Sequence, residues 1–132
     1  MLSLTALTEV RLPLLDLHKS LVETERRDYE RTHGRLENAE FLKVLMQDPQ
    51  FAWLKPLTAF IVRIDEALED DAPDAQAMER LEGELRSLLT PDPRGSAFQK
   101  RYGDILQRSA EAVVEHGRTL RALNLPSECR RP

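Results

Sequence analysis

Polar residues with catalytic or metal-binding potential share one face of a predicted helix near the N-terminus. The positions follow steps of four, three, four and four, which keeps them on one side of an α-helix: His18, Val22, Glu25, Tyr29 and His33. A similar row, Tyr102, Ser109 and His116, occurs on a later predicted helix. A plain helical core would carry leucine at such positions, so the sequence predicts a polar patch among packed helices.

One chemistry for this patch is metal binding. Imidazole and carboxylate groups on facing helices can bind a transition metal ion, and Glu30 and His33 have the Glu-x-x-His spacing of carboxylate-bridged bundles. The candidate ligands are Glu25, Glu30, His33 and His116. A dinuclear site needs a second such pair, and His116 has no acidic residue three or four positions before it.

The other interpretation of the patch is structural. The same groups can hydrogen-bond to one another and fix the order of the helices, at some cost in stability. A network needs only hydrogen-bond partners, whereas a metal needs a full ligand set. We therefore favour the network, expect no cofactor, and keep a transition metal ion as the alternative.

Other catalytic arrangements lack essential parts. There is no Gly-x-Ser-x-Gly elbow for a nucleophile, and the five glycines are isolated, so no glycine-rich loop can hold a phosphate. We therefore expect a protein that is not an enzyme.

Composition and charge limit the partners. The net charge is −4 and the two signs are mixed along the chain, which disfavours nucleic acid. No apolar run reaches the length of a membrane span, and the N-terminus lacks the features of a secretion signal. The single cysteine, Cys129, could pair only with another chain, which fits a reducing cytoplasm.

Apolar spacing predicts an all-α fold: an antiparallel bundle of four main helices plus a short extra helix. The first main helix starts at Pro13, after a short turn or helix over 2–11, and ends near Gly34. Asn38 caps the short helix. The last helix starts after Ser96, continues unbroken to about Leu123 and is closed by the sequence LNLP.

The remaining two main helices flank an acidic break, EDDAPDA, in which Asp71 or Asp74 can cap the second helix. The first carries the clearest apolar stripe of the chain, formed by Leu57, Phe60, Ile61, Ile64 and Leu68. Residues 1–125 are predicted to form one domain, with a loose tail over 126–132.

The run MQDPQFAWLKPLTAFIVRIDE, residues 46–66, holds the only tryptophan and two prolines. Asp48 before Pro49 predicts a helix start. Pro56 indicates either a kink or a separate turn before a helix from Leu57. Trp53 and Phe51 then either anchor the core at this corner, which we favour, or bind a partner at the surface.

The segments LHKSLVETERRDYERTHGRL and FLKVLMQDPQFAWLKPLTAFIVRIDEAL resemble a family of small uncharacterised bacterial all-helical proteins with a DPxFAWLxPLxxxIVxIDE motif. With FQKRYGDILQ, the resemblance covers most of the chain. It implies a bacterial cytoplasmic protein and assigns no chemistry to any residue.

The resulting functional hypothesis is a non-enzymatic bundle that acts through a protein partner or self-association, for example as a homodimer. The alternative is a bundle that binds a metal or a small ligand in a polar interior. Candidate partner- or ligand-binding residues are His18, Tyr29, Phe51 and Trp53.

Overall fold

The structure is a computed structural model that describes residues 4–70 and 74–129, so the candidate cap Asp71 lies outside the described residues. Within these ranges the chain is all helical, with six α-helices, one 3₁₀ helix and no strand. The α-helices are α1 Leu4–His33, α2 Asn38–Gln47, α3 Lys55–Glu69, α4 Ala75–Leu88, α5 Ala97–Arg108 and α6 Ala110–Cys129; the 3₁₀ helix spans Pro49–Leu54. The all-α prediction is confirmed. None of the helices in these ranges is long and apolar enough to cross a membrane.

Helix α1 is the central element and runs antiparallel to two others. Arg11 binds Asp65 and His18 contacts Thr58, so positions further along α1 meet earlier positions of α3. On its other side α1 packs most extensively on α6. Asp16 of α1 binds Arg118 of α6, and Ser20 of α1 donates to Glu111 of α6 at 2.9 Å. Helices α1 and α6 therefore also run in opposite directions.

The predicted start of α1 at Pro13 is wrong, because the helix runs through this proline. Proline removes one backbone hydrogen bond and usually costs about 3 kcal/mol inside a helix. Here the buried stripe continues across it, and burial of these side chains offsets that cost. The stripe consists of Ala6, Leu7, Val10, Leu14, Leu17 and Leu21. The C-terminal end of α1 is as predicted, with Gly34 at φ 89° directly after His33.

The corner between α2 and α3 is built by the two prolines and one aspartate. The Asp48 side chain accepts a hydrogen bond from the Gln50 backbone N–H at 2.8 Å, and Pro49 opens the 3₁₀ helix. Pro56 lies in the first turn of α3. Of the two interpretations of Pro56, the separate turn is confirmed, but the helix that follows begins at Lys55, two residues before the predicted Leu57. The predicted cap Asn38 is wrong by one position, since Glu37 caps α2.

The last predicted helix is divided into α5 and α6 at Ser109. Ser109 is extended, with φ −120° and ψ 110°, and its hydroxyl accepts a hydrogen bond from the Ala112 backbone N–H. The chain turns there, because Tyr102 contacts His116, which a straight helix would place about 21 Å away. The predicted cap Ser96 is confirmed and forms a capping box with Gln99.

The LNLP sequence does not end α6, which reaches Cys129. The Cys129 side chain and residues 130–132 lie outside the described part of the chain. Elsewhere the apolar stripes meet in one core. The stripe of α3 is confirmed, with four members buried and Leu68 half-buried.

Candidate functional site

Two regions of the molecule hold four of the residues that the sequence singled out, namely Glu25, Trp53, His18 and Phe51. One is a buried polar junction around Glu25, where α1, the 3₁₀ helix and α5 meet. The other is an apolar groove, lined by residues of α1, α2, the 3₁₀ helix and α3.

Glu25 is only 1% exposed, and its carboxylate accepts hydrogen bonds from three side chains. Trp53 Nε1 donates at 2.7 Å and Gln50 Nε2 at 3.0 Å, both from the 3₁₀ helix. Arg101 of α5 donates through Nε at 3.0 Å and Nη2 at 2.9 Å, one bond to each carboxylate oxygen. This paired geometry is the strongest type of ion pair in proteins.

The Arg101 guanidinium has further partners at the edge of the junction. It donates to Asp28 at 3.1 Å and to Asp104 at 2.7 Å, and Arg108 also binds Asp28. The pKa of Arg101 is raised, chiefly by its hydrogen bond to Glu25. Both oxygens of the Glu25 carboxylate thus accept hydrogen bonds within the protein, and the junction holds three helical elements together.

A second polar contact lies between α5 and α6, where the Tyr102 hydroxyl meets His116 Nδ1. Tyr102 is fully buried, and burial raises the pKa of its phenol well above the usual range. Burial also lowers the pKa of His116. Both shifts favour a protonated phenol and a neutral imidazole, so we expect Tyr102 to donate to His116.

The structure does not bring the four candidate metal ligands together. Glu25 is in the junction, Glu30 binds Arg26 and the Leu36 backbone N–H, and His116 contacts Tyr102. Exposed His33 stacks on Tyr29 with ring centroids 4.0 Å apart. Among the side chains that the structure describes, no three His, Cys, Asp or Glu residues are placed to hold a metal.

Three of the four candidate partner-binding residues lie in the two regions, and Tyr29 lies next to one of them. His18 and Phe51 line the groove. Tyr29 is half-buried behind Phe51, with ring centroids 5.8 Å apart. Trp53 belongs to the junction, where its half-buried ring also lies 5.5 Å from Phe98.

The groove has a volume of about 430 Å³ and mostly apolar walls. Its floor is formed by the buried side chains of Phe51 and Leu54. One wall carries His18, whose Nε2 lies 2.9 Å from the Thr58 hydroxyl, and burial lowers the pKa of this histidine. Leu45, Met46, Lys55 and Ala59 complete the lining. A depression of this size holds one or two large apolar side chains, or a small molecule.

The rim of the groove on α2 carries apolar side chains in solvent. Met46 is 69% exposed, and Leu42, one turn earlier on the same face, is 56% exposed. Phe41, Leu42, Leu45 and Met46 have the three-and-four spacing of an amphipathic helix, yet only Phe41 is buried and Leu45 is half-buried. Leu42 and Met46 thus extend the apolar surface of the groove onto the exposed face of α2.

Comparisons with protein-family models, with curated proteins and with solved structures find no match to this chain. The resemblance noted in the sequence therefore stays a prediction. The arguments for function rest on the two regions described above.

Proposed function

We propose that the chain is a non-enzymatic protein-binding module whose docking site is the groove beside α2. The observation that carries the proposal is the combination of a pre-formed apolar depression with Leu42 and Met46 exposed on its rim. Exposed apolar side chains that border a cleft are typical of interaction sites. Methionine suits such a rim because its flexible side chain adapts to a partner.

A helical segment is the proposed occupant. The groove lies at the corner between the last turn of α2, the 3₁₀ helix and the first turns of α3, and a partner helix could insert there one or two apolar side chains spaced three or four residues apart. The polar junction supports this function indirectly, since it fixes the 3₁₀ helix that supplies the floor. The module would thus recognise its partner on a rigid surface.

We further propose that the scaffold is an antiparallel bundle of four main helices. The opposed directions of α1 relative to α3 and α6 support this arrangement. A bacterial cytoplasmic origin, as the family resemblance implies, is part of the same proposal.

A display library of amphipathic helical peptides tests the docking site. Peptides are selected on the wild-type protein, and their affinities are then compared for two variants, Met46→Glu and Val114→Glu. Val114, on α6, is 59% exposed, so it is a matched apolar surface position that does not line the groove. We expect selected peptides to lose at least about tenfold in affinity for Met46→Glu, equal to about 1.4 kcal/mol, and to bind Val114→Glu normally. Equal binding to both variants, or no selected peptide, would contradict the proposal.

A small apolar ligand in the same groove is a second candidate. The volume of about 430 Å³ falls in the range of small-molecule sites, and Lys55 and His18 supply polar groups next to the apolar floor. Native mass spectrometry of protein purified from its own host checks this candidate. A retained mass that disappears in Met46→Glu would support it, and ligand-free wild-type protein would contradict it.

A further inference from the structure

One wall of the groove carries a titratable group, the imidazole of His18. It lines the depression together with Phe51 and Leu54, which form the floor. Histidine is the side chain whose charge ordinarily changes between about pH 5 and pH 8. An apolar side chain that docks in the groove therefore packs near a group that is neutral or positive according to the pH.

The hydrogen bond between His18 and Thr58 has a defined direction. The Thr58 hydroxyl has one hydrogen, which it donates to the Leu54 backbone carbonyl at 3.2 Å. Its oxygen, 2.9 Å from His18 Nε2, therefore accepts, and Nε2 carries the proton of the neutral ring. A second proton goes to Nδ1, so this hydrogen bond persists when His18 becomes charged. Protonation thus changes the charge of the groove wall and leaves its contact with α3 in place.

The surroundings of His18 favour the neutral ring. Among the described residues no carboxylate lines the groove, and its one charged member besides the histidine is Lys55 of α3, which has the same sign as an imidazolium. The positions one turn before and after His18 on α1 are apolar: Leu14, Leu15, Leu21 and Val22.

The other elements around the groove supply no counter-charge to the ring. Helix α2 and the 3₁₀ helix contribute only apolar lining: Leu45, Met46, Phe51 and Leu54. The ion pair of Arg11 with Asp65 lies two turns away from the His18–Thr58 contact on both helices. Burial accordingly lowers the pKa of His18.

We infer that the proton on His18 regulates the groove, which holds its occupant when the imidazole is neutral and releases it when the imidazole is charged. The inference rests on the proposed function and adds control by pH to it. A docked apolar side chain removes water from the ring, which destabilises the charged form far more than the neutral form. Repulsion between the imidazolium and Lys55 acts in the same direction. Because binding equilibria are linked, protons and the occupant each weaken the binding of the other.

The affinity of one peptide at two pH values tests this inference. A peptide selected in the display experiment at about pH 7.5 is remade with blocked termini and with Gln in place of Asp, Glu and His, so that the peptide itself does not titrate. We expect its dissociation constant to rise at least about fivefold between about pH 7.5 and about pH 5, the lower end of typical couplings between two sites. Both measurements are made where circular dichroism shows the native helix content.

Two histidine variants separate the groove from the rest of the fold. His18→Gln removes the titrating ring and keeps a polar side chain near Thr58, so the affinity should no longer depend on pH. His116→Gln is the matched variant, because burial also lowers the pKa of His116, which lies on α6 and does not line the groove. It should keep the full pH dependence, which excludes an effect that acts only through the stability of the fold.

Proton NMR of the imidazole rings gives a readout that does not depend on affinity. Linkage requires that the bound peptide lower the pKa of His18 by the same factor by which protons weaken the peptide. The peptide should leave the pKa of His116 unchanged. An identical titration of His18 in the free protein and in the complex would overturn the inference.

The outcomes separate this inference from the proposed function. If the peptide binds the wild-type protein equally well at both pH values and loses affinity for Met46→Glu, the docking site stands and regulation by His18 is overturned. Regulation is also overturned if His18→Gln keeps the pH dependence, or if acidification strengthens binding. If no peptide binds the wild-type protein at either pH, both the docking site and its regulation fail.

Discussion

The polar junction and the apolar groove both contain residues of the 3₁₀ helix. They differ in that the junction bonds its polar groups to one another, whereas the groove leaves apolar side chains exposed to water. In the junction, Glu25, Gln50, Trp53 and Arg101 use their polar atoms on one another. In the groove, Leu42 and Met46 leave most of their apolar surface in water. Polar groups that already have partners stabilise the fold, whereas apolar surface without a partner favours binding. The comparison supports the proposal of a docking site at the groove and a structural role for the junction.

Removal of the buried ion pair should have the largest effect on stability. Arg101→Met leaves the Glu25 carboxylate buried without its cation, and we expect the free energy of unfolding to fall by about 3 kcal/mol in urea denaturation. Arg108→Met removes a more exposed arginine from the same cluster and should cost less than about 1 kcal/mol. If the two variants lose similar amounts of unfolding free energy, the buried Glu25–Arg101 ion pair is no more important for stability than the exposed Asp28–Arg108 pair.

Loss of the indole donor should have the next largest effect. Trp53→Phe keeps an aromatic ring next to Phe98 but removes the hydrogen bond to Glu25. A hydrogen bond to a charged group contributes about 1.5–3 kcal/mol, so the free energy of unfolding should fall by about 2 kcal/mol. An unchanged thermal midpoint, together with lost peptide binding, would instead assign Trp53 to the docking surface.

Acidification should weaken the fold through His18 and His116. Burial lowers both pKa values in the folded state, so below about pH 6.5 the unfolded chain binds more protons at these positions. The free energy of unfolding should therefore decrease from about pH 7 to about pH 5, and His18→Gln and His116→Gln should each flatten that decrease.

Tyr102→Phe provides the control for this pH dependence. Burial causes the lowered pKa of His116, so the variant should keep the decrease although it removes the hydroxyl. A flat profile in Tyr102→Phe would show that the hydrogen bond, and not burial, controls the protonation of His116.

Substitution on the groove rim should affect stability least. Leu42→Ser and Met46→Ser are changes at exposed positions, and each should alter the free energy of unfolding by no more than about 0.5 kcal/mol. Peptide binding should nevertheless weaken in both. A large loss of stability would show that the rim is part of the core, which would remove the contrast between the two regions.

Local signals in the sequence account for most of the helices. Asp48 before Pro49, Ser96 with Gln99, and Gly34 after His33 mark helix ends through backbone hydrogen bonds and backbone conformation that neighbouring residues control. The break at Ser109 carried a similar signal, a serine cap with Glu111 in the next turn. The sequence also identified Glu25 as a polar residue on an inward face.

Long-range packing decided the rest. The continuation of α1 through Pro13 depends on core contacts along both flanking turns. The partner of Glu25, Arg101, lies 76 residues away in the chain, so no local spacing could reveal it. The absence of a common site for Glu25, Glu30, His33 and His116 follows from the separate partners that each finds after folding.

The sequence by itself determined the helical class, several helix ends and the buried position of Glu25, because periodicity and capping act over a few residues. Only the tertiary structure decided that Glu25 is saturated and that Met46 and Leu42 stay exposed. The physical reason is that an amphipathic pattern specifies which side chains share a face, while burial also requires another element to cover that face.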